Sequence, residues 1–487
     1  MSFILSKSTY LYGCQCPKRL YFHKFKSELR NPLDEGQEFI FQQGTDIGIV
    51  ARTLFSGGID LSPENAYSYP KSAVKTEKVL DTHYVLYEPT FIANGVMCAL
   101  DIMVKKNNKW FVYEVKSSTS VKSQHIDDAA LQYWVLKQKG LEISDFSIVY
   151  VDNTYVKNGP FQVGKFFAVQ SVLKEIKKQQ HQVEASLDAL KKMLIKKEEP
   201  QKKIGQHCFS PYECDFTNHC WKDFPEENSV LDLSNGAGWT FFDEGIYAMK
   251  DIPKNAYLPP RAKFQLDAFK KNETYIDKQS LKGFIKSLEY PLSYFDFETY
   301  QPAIPEYDGM KPYQRIPFQY SLHQQKNKKS DILHFEFLGD GDTDPREDLV
   351  KQMLSDLGDK GSIITYNMSF EKSVILELSR LFPKYEIELL ALVDRMQDLM
   401  LPFQQRWYYH PALKGSHSIK TILPHLISDL SYSALQIQEG GTASLVYGQL
   451  KSQSPVTYEA QRKALLEYCK LDTYAMVRIL ERLKEMV

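Results

Sequence analysis

The chain has 487 residues, of which 43% are apolar and 25% are charged, and its formal net charge is -1. This length predicts two or three domains, and the apolar content is enough for each domain to bury its own core. The balanced charge excludes a globally basic protein that coats nucleic acid, so any contact with DNA or RNA has to come from local basic patches.

The predicted elements divide the chain into two structured segments joined by a connector. In the first segment, residues 1–221, a helical opening precedes a strand-rich centre over residues 84–117 and a long charged helix over residues 168–198. Residues 222–285 carry several glycines and prolines and little periodicity, which indicates a connector. The last segment, residues 286–487, opens on a strand and alternates strands with helices, which predicts an α/β fold.

The stretch CALDIMVKKNNKWFVYEVKSS predicts two strands around a turn at Asn107–Asn108. A two-residue hairpin loop there places Asp101 opposite Glu114, with Cβ atoms about 5 Å apart. Lys116 shares the face of Glu114, because side chains alternate along a strand. Carboxylates this close repel each other unless a cation lies between them, so we predict a divalent metal site at which Lys116 orients water or stabilises a phosphate. The alternative is a surface hairpin whose Glu114 and Lys116 pair with each other.

This pattern resembles the PD-(D/E)XK nuclease superfamily, and within it the RecB-like branch. The resemblance implies that Asp101, Glu114 and Lys116 form the D…ExK motif. It also implies that Gln132 is the glutamine of the following helix and that Glu88 is the acid before the hairpin. The implied fold of the first segment is restriction-endonuclease-like. Many members carry a metal-binding histidine where this chain reads QQGTDIGIVAR, so we expect one metal ligand to be lost or replaced.

The seven cysteines are an odd number in a large chain, which argues against a secreted disulfide framework. Cys208, Cys214 and Cys220 lie within thirteen residues with the spacing C-x5-C-x5-C. Zinc sites more often use a shorter knuckle, whereas four thiolates can hold a 4Fe-4S cluster. Iron–sulfur nucleases of the RecB-like kind resemble this pattern, which implies Cys16 as the fourth ligand and Cys14 as its substitute. Zinc and free buried cysteines are the alternatives.

A second set of acidic residues is spread over the last segment. In LSYFDFETY, Asp296 and Glu298 share one strand face while phenylalanines share the other. In IITYNMSFEKSVILELSRL, a strand and a turn precede a helix whose first turn holds Glu371. In LLEYCKLDTYAMVRIL, Tyr468 and Asp472 stand one helical turn apart. Each piece alone is typical of a solvated face or a packing pair, but their order and spacing indicate one site.

Together these segments resemble the DEDD exonucleases of the ribonuclease H-like fold, in the tyrosine variant of the DnaQ-type proofreading group. Its three motifs are matched by Asp296 and Glu298, by Asn367 and Glu371, and by Tyr468 and Asp472. The resemblance implies that the four carboxylates hold two Mg2+ or Mn2+ ions and that Tyr468 orients the attacking water. Glu371 stands where aspartate is usual, which lengthens this ligand by one methylene.

Two features of the last segment extend this site. Asp394 and Asp398 are further acids that would assist it. His410 and His417 lie in RWYYHPALKGSHSIK, whose basic and aromatic residues suit a clamp for the end of a nucleic-acid strand through stacking and phosphate contacts. The alternative for that loop is a tyrosine-rich turn of the core.

The two resemblances predict a deoxyribonuclease with two metal-dependent active sites, acting in DNA repair, recombination or defence. We expect 3′→5′ cleavage of single strands by the C-terminal domain, and endonuclease or exonuclease action by the N-terminal one. The alternatives are an RNA-processing exonuclease and a nucleic-acid-binding scaffold with one or both sites inactive. No stretch approaches the roughly 20 apolar residues that cross a bilayer, and no signal peptide is visible, so we expect a cytoplasmic protein without a membrane partner.

Overall fold

The computed structural model describes residues 3–32, 35–65 and 67–487, and it leaves the side chains of residues 35–42 undescribed. Both helices and sheets run through the chain, so the predicted α/β class is confirmed. In the part of the chain that the structure describes, no helix has the length and apolar character needed to cross a bilayer.

The chain divides into two compact units. The N-terminal unit comprises Met1–Asp223 and Pro302–Gln314, and the C-terminal unit comprises Phe224–Gln301 and Arg315–Val487. Nearly all of the predicted connector, residues 222–285, therefore lies in the C-terminal unit. Leu281 and Phe284 from this stretch are buried in the core of that unit.

In the residues that the structure describes, the N-terminal unit contains two sheets and several helices. Its strands are β1 (Leu5–Ser6), β2 (Ile59–Asp60), β3 (Val85–Tyr87), β4 (Thr90–Ala93), β5 (Val96–Ala99), β6 (Ile102–Lys106), β7 (Lys109–Lys116), β8 (Ile143–Val151) and β9 (Phe167–Ser171). Its helices are α1 (Lys7–Gln15), α2 (Pro17–Phe25), α3 (Glu35–Arg52), α4 (Tyr69–Val79), α5 (Ser123–Gln138), α6 (Val163–Phe166), α7 (Leu173–Lys178), α8 (Gln180–Lys196) and α9 (Thr217–Cys220). The larger sheet has the order β2-β3-β6-β7-β8-β9 and the smaller one β1-β5-β4.

The hairpin β6–β7 has the predicted register. Lys106 pairs with Lys109, and Asn107 and Asn108 take left-handed backbone conformations with φ of 50° and 61°. Such conformations are those of a two-residue hairpin turn, for which asparagine is well suited. After the hairpin, α5 leads to β8, which runs parallel to β7 in the sheet. Strand β7 therefore runs from the predicted turn to Glu114 and Lys116, the residues of the predicted site.

The prediction of one helix over residues 168–198 is wrong at its start. Residues Phe167–Ser171 form β9 and pair antiparallel with β8, and the helices begin only at Leu173. The helical periodicity of the later residues hides this strand, because the strand contributes only two buried or half-buried side chains, Phe167 and Ala168.

The C-terminal unit is built around one mixed sheet. Its strands are β10 (Tyr275–Ile276), β11 (Leu292–Tyr300), β12 (Ile316–Gln325), β13 (Ile332–Leu338), β14 (Ser362–Thr365), β15 (Met396–Asp398) and β16 (Tyr408–Tyr409). Its helices are α10 (Gly238–Asp243), α11 (Pro260–Lys271), α12 (Lys278–Ser287), α13 (Arg346–Leu357), α14 (Met368–Leu381), α15 (Glu386–Asp394), α16 (Leu401–Gln404), α17 (Ile419–Leu426), α18 (Gly440–Gln449) and α19 (Pro455–Glu485). The main sheet has the order β13-β12-β11-β14-β15.

Strand β11 lies at the centre of this sheet and is covered on both faces. It pairs antiparallel with β12 and parallel with β14. Leu292 and Tyr294 pack with residues of α19, while Phe295 and Phe297 pack on the other side with residues of α13 and α14. This alternation confirms the predicted strand, and it holds the acidic residues of β11 inside the unit instead of at a solvated edge.

Gly361, which precedes β14, is required by the backbone. Its φ is +80°, and a Cβ atom there would lie 2.1 Å from the carbonyl oxygen of Pro291. We expect Gly361→Ala to lower the free energy of unfolding of the C-terminal unit by roughly 2 to 4 kcal/mol, because it adds backbone strain and a clash with main-chain atoms. Thermal unfolding measures this loss. The control is Gly283→Ala in α12, where a Cβ would meet no atom within 4 Å, and which we expect to be neutral or stabilising by up to about 1 kcal/mol.

Candidate functional sites

The acidic residues predicted in the last segment meet in the core of the C-terminal unit. Asp296 and Glu298 are supplied by β11, Glu371 by the first turn of α14, and Asp472 by α19. We call these four residues the carboxylate cluster. Single ligand atoms of Asp296, Glu298 and the neighbouring Cys469 lie within 4.8 Å of one another. Residues that are 176 positions apart in the chain are thus brought to one place.

Burial and mutual repulsion make protonation of these acids favourable. Burial, followed by the charges of Asp472, Glu371 and Glu298, raises the pKa of Asp296 well above its usual value. Burial and the charge of Asp472 raise the pKa of Glu298 to about 8. Burial raises the pKa of Glu371 to about 8 and that of Asp472 to about 6. If all four acids were ionised, the cluster would hold more negative charge than the surrounding protein neutralises.

Two tyrosines surround Asp472. The hydroxyl of Tyr432 donates to Asp472 Oδ1 at 2.6 Å, and the hydroxyl of Tyr468 also stabilises the Asp472 carboxylate by a hydrogen bond. Burial raises the pKa of both phenols, so they remain protonated donors at neutral pH. Tyr468 was expected at this place. Tyr432 was missed, because its segment SYSALQ has no pattern that points to a site.

Two further residues of this site were not predicted. Cys469 follows Tyr468 on α19, and its Sγ lies 3.8 Å from Asp296 Oδ2. Lys420 on α17 is exposed, and its positive charge lowers the pKa of Glu298 and of Asp472. Lys420 lies at the end of the basic loop that the sequence singled out, so its charge was a usable signal.

Three further residues were expected near this site. Asp398 on β15 accepts hydrogen bonds from the backbone N–H groups of Asn367 and Met400, at 3.1 Å and 2.9 Å, and its charge raises the pKa of Glu371. Asp394 is exposed at the end of α15. His410 Nδ1 accepts a hydrogen bond from the backbone N–H of Ala412.

His417 makes a hydrogen bond through its backbone. Its carbonyl oxygen accepts a hydrogen bond from the hydroxyl of Tyr366 at 2.7 Å. Its side chain lines a recess together with Arg406, Tyr409 and Ser416. This mixture of aromatic and basic groups is compatible with both interpretations of the loop, a clamp and a core turn.

The donor atoms of the carboxylate cluster suit a hard divalent cation. They are carboxylate oxygens, which Mg2+ and Mn2+ prefer. Glu371 Oε2 is buried and, among the described residues, has no hydrogen-bond partner. The Cys469 thiol has its pKa raised by burial and stays protonated, so it does not compete as a soft ligand. A cation held by these oxygens would satisfy the free oxygen and offset the repulsion.

The residues predicted for the N-terminal site lie together at the end of the β6–β7 hairpin. Glu114 is buried on β7, and Gln132 on α5 donates to its Oε2 at 2.9 Å. Lys116 Nζ lies 2.8 Å from Glu114 Oε1, as expected for residues that share a strand face. Asp101 Oδ2 accepts a hydrogen bond from the backbone N–H of Val115 at 2.5 Å. Burial and the charge of Glu114 raise the pKa of Asp101 to about 8.

Two residues of this site were missed by the sequence analysis. Asp128 lies one turn before Gln132 on α5, and its Oδ2 is 2.7 Å from Lys116 Nζ. The spacing of four between Asp128 and Gln132 was a signal that could have found it. Lys7, the first residue of α1, has its Nζ 2.9 Å from Glu114 Oε1. No local pattern marks Lys7, because its partner is 107 residues away.

Glu88, the acid expected before the hairpin, pairs with an arginine. Arg52 Nη2 lies 3.2 Å from Glu88 Oε1. Arg52 is the last residue of α3, the helix that contains the stretch without the expected histidine. Arg52, at the end of α3, thus forms an ion pair with Glu88.

The four predicted cysteines line one pocket. Cys16, at the junction of α1 and α2, faces Cys208, Cys214 and Cys220, together with cations that include Lys18 and Arg19. Burial raises the pKa of the Cys214 thiol to about 12, and burial also raises that of Cys220. A neutral thiol in this pocket is thus favoured until a cofactor binds the sulfur.

The pocket distinguishes between the two N-terminal cysteines. The Cys14 thiol is hydrogen-bonded to Tyr10 on α1, and Cys14 does not line the pocket. Gln15 next to it donates to the carbonyl oxygens of His207 and Tyr212, at 2.8 Å and 2.6 Å. These bonds attach the junction of α1 and α2 to the cysteine-bearing segment and direct Cys16 into the pocket.

Comparison with known proteins gives one family match. A family model described as a domain of unknown function (DUF2779) matches residues 293–418. This range includes Asp296, Glu298 and Glu371, and it ends before Tyr468 and Asp472. It covers neither the hairpin site nor the cysteine pocket.

Three relatives come from species of Mycoplasma and Ureaplasma. "Uncharacterized protein MG366 homolog" from Mycoplasma pneumoniae is 29% identical over 206 residues, which is 38% of this chain and 31% of that protein. "Uncharacterized protein MG366" from Mycoplasma genitalium is 22% identical over 448 residues, 81% of this chain and 67% of that protein. "Uncharacterized protein UU173" from Ureaplasma parvum is 28% identical over 193 residues, 35% of this chain and 28% of that protein. The matches thus span less than a third of the first and third relatives.

The charge state of the carboxylate cluster predicts how stability depends on pH. The folded-state pKa values of Glu298 and Glu371 are about 8 and that of Asp472 is about 6, whereas unfolded carboxyl groups titrate near about 4. Over this window the folded state binds more protons than the unfolded state, so the free energy of unfolding falls as the pH rises from about 4 to about 8. Without divalent cations, we expect a lower melting temperature at about pH 8 than at about pH 6.

Thermal unfolding in a chelator, with and without added Mn2+, tests this dependence. Mn2+ should reduce the difference between the two pH values, and Asp296→Asn should weaken the dependence in the chelator, because it removes one of the repelling charges. Glu388→Gln is the control, since Glu388 is exposed on α15. A stability that rises over this range in the metal-free protein would contradict the assigned charge states.

Proposed function

We propose that this protein is a metal-dependent nuclease that hydrolyses phosphodiester bonds of DNA, with the carboxylate cluster as its principal active site. The observation that carries the proposal is the convergence of Asp296, Glu298, Glu371 and Asp472, of which Asp296 is half-buried and the other three are buried. Uncompensated buried carboxylates destabilise a fold, so their presence is best explained by a cation that they bind. Four carboxylates match the requirement of a two-metal site for phosphodiester hydrolysis.

The residues of the cluster can be given separate roles. Two divalent cations, when bound, stabilise the attacking and leaving oxygens of an in-line displacement. Tyr468 would orient the attacking water, since its hydroxyl is a protonated donor beside Asp472. Tyr432 would hold Asp472 in position through its 2.6 Å hydrogen bond. Lys420, exposed beside the cluster, would contact a phosphate oxygen of the substrate.

The topology supports a ribonuclease H-like assignment of the C-terminal unit. Its central strand β11 carries two of the acids, with antiparallel strands on one side and parallel strands on the other. The N-terminal unit supports a restriction-endonuclease-like assignment, because its acidic hairpin is followed by α5 and by the parallel strand β8. Asp101, Glu114, Lys116 and Gln132 would form a second nuclease site there.

A 4Fe-4S cluster would occupy the cysteine pocket, with zinc as the alternative cofactor. The support comes from Cys16, Cys208, Cys214 and Cys220, which line the same pocket although Cys16 is distant in sequence. Tetrahedral zinc requires sulfur atoms only about 4 Å apart, given Zn–S bonds of about 2.3 Å. Among the described residues, no three of these four sulfur atoms all lie within 4.8 Å of one another. This distance between the sulfur atoms favours the 4Fe-4S cluster, which is larger than a zinc ion.

Cleavage of end-labelled nucleic acids tests the nuclease proposal. Single- and double-stranded DNA and RNA are incubated with Mn2+ and with wild type, Asp296→Ala or Lys116→Ala. We expect Asp296→Ala to lower cleavage of single-stranded DNA at least about 100-fold, because it removes a metal ligand. Lys116→Ala should remove a different set of products. The lengths of the labelled fragments give the polarity, which we expect to be 3′→5′ for the C-terminal site.

The matched control is Glu388→Gln, an exposed carboxyl of the same unit, which should cleave as the wild type does. Preferential cleavage of RNA would favour the RNA-processing alternative. If wild type and both variants bind DNA but cleave none of the substrates, the protein is a nucleic-acid-binding scaffold and the nuclease proposal is wrong.

The cofactor proposal is tested by serine substitutions in protein purified without oxygen. Cys16→Ser, Cys208→Ser, Cys214→Ser and Cys220→Ser should each lose iron, sulfide and the absorbance near about 400 nm that a cluster gives. Cys14→Ser should retain all three, since Cys14 is bonded to Tyr10 outside the pocket. Stoichiometric zinc without sulfide in the wild type would establish the alternative cofactor.

A further inference from the structure

The N-terminal site already contains its own cations. Glu114 Oε1 accepts from Lys7 at 2.9 Å and from Lys116 at 2.8 Å, while Gln132 donates to Oε2 at 2.9 Å. Asp128 Oδ2 lies 3.3 Å from Lys7 Nζ and 2.7 Å from Lys116 Nζ. The two ammonium groups and the two carboxylates therefore alternate in a closed ring of four charges.

The remaining acids of this site are engaged as well. Asp101 Oδ2 accepts the backbone hydrogen bond from Val115, and Glu88 is paired with Arg52. Arg52 is shared between Glu88 and Asp60, at 3.2 Å and 2.7 Å. The two ammonium groups of the ring, Lys7 and Lys116, balance the charges of its two carboxylates, Glu114 and Asp128.

The carboxylate cluster of the C-terminal unit is in the opposite situation. The positive charge of Lys420 lowers the pKa of two of its acids, Glu298 and Asp472. The ammonium of Lys420 donates to the carbonyl oxygen of Gln438 at 2.7 Å. Glu371 Oε2 has no hydrogen-bond partner among the described residues. The demand for a divalent cation is therefore much stronger in the cluster than at the N-terminal site.

We propose that Lys7 is a built-in cation that occupies the metal position of the N-terminal site, so that this site binds divalent cations only weakly while Lys7 is in place. The inference qualifies the proposed function, because it assigns the tight metal requirement to the C-terminal unit alone. It departs from what the resemblance implies for Asp101 and Glu114. In the ring, an entering cation has to displace an ammonium group from the same Glu114 oxygen.

Lys7 is the member of the ring that can be displaced. Its side chain is 28% exposed, compared with 20% for Lys116, the other ammonium group of the ring. It lies at the first position of α1, so its stem can turn into solvent without disturbing the β6–β7 hairpin. Lys116, in contrast, extends from β7 inside the sheet. Removal of the Lys7 charge should therefore open a cation site without removing a carboxylate ligand.

Metal binding to the full chain tests this proposal. The background is Asp296→Ala, which disables the carboxylate cluster, and Mn2+ binding is followed by electron paramagnetic resonance and calorimetry. We expect Lys7→Met to bind Mn2+ at least about tenfold more tightly than the background, since a positive charge beside the ligands has been removed. Mn2+ should also raise the melting temperature of Lys7→Met more than that of the background.

Three controls identify the site. Lys7→Arg keeps the charge and should bind Mn2+ as weakly as the background does. Lys24→Met should also leave binding unchanged, because the ammonium of Lys24 donates to the backbone carbonyl of Ile4. Adding Glu114→Gln to Lys7→Met should abolish the gain, because it removes the carboxylate that Lys7 had covered.

Two outcomes overturn the proposal. One is a background protein that already binds Mn2+ tightly and loses this binding with Glu114→Gln, a comparison that does not depend on the folding of Lys7→Met. The other is a folded Lys7→Met variant that gains no binding. Because binding is measured instead of cleavage, these outcomes are independent of whether the protein is a nuclease.

Discussion

The repulsion between buried carboxylates is the constraint on which the C-terminal unit depends. Asp296 and Glu298 stand on the central strand β11, whose two faces are both packed, and Glu298 is buried while Asp296 is half-buried. An unpaired charge in such a place costs several kcal/mol even after the protein relaxes. Tyr432 and Tyr468 offset part of this cost by donating to Asp472. The rest of the sheet has to be stable enough to hold the acids together.

The N-terminal unit brings carboxylates together with the opposite electrostatic result. Here the acids at the end of the hairpin meet the ammonium groups of Lys7 and Lys116, and the positive and negative charges balance. The same kind of residue, a buried glutamate on a central strand, thus has a raised pKa at Glu298 and a lowered one at Glu114. The difference arises from the cations supplied by the neighbouring elements, not from the glutamate or its strand.

The cysteine pocket connects segments that are far apart in the N-terminal unit. Gln15 and Arg19, which flank Cys16, bond to the cysteine-bearing segment through the His207 carbonyl and the Asp215 carboxylate, at 2.8 Å and 2.7 Å. These polar contacts join the two segments without the help of a cofactor. A cofactor in this pocket would therefore add to a contact that the fold already makes, and it would stabilise the unit in which Lys7 and Glu114 meet.

The local sequence was sufficient to predict those elements whose structure depends on residues close together in the chain. The Asn107–Asn108 turn and its register, the strand β11 and the helices that carry Glu371 and Asp472 all follow from backbone preferences and side-chain alternation over a few residues. The grouping of the acids into sites, in contrast, was an expectation from the family resemblances. The strand Phe167–Ser171 was mistaken for helix, because its pairing with β8 is a contact between distant residues.

Only the tertiary structure decided which charges surround each acid. Lys7 reaches Glu114 across 107 residues, and Tyr432 reaches Asp472 across 40. Neither partner carries a local pattern, because a single long side chain can contact whatever the packing of the whole unit brings near it. The acids of each site could therefore be identified from the sequence as candidates. Their protonation and their need for a metal depend on contacts that form only when the chain has folded.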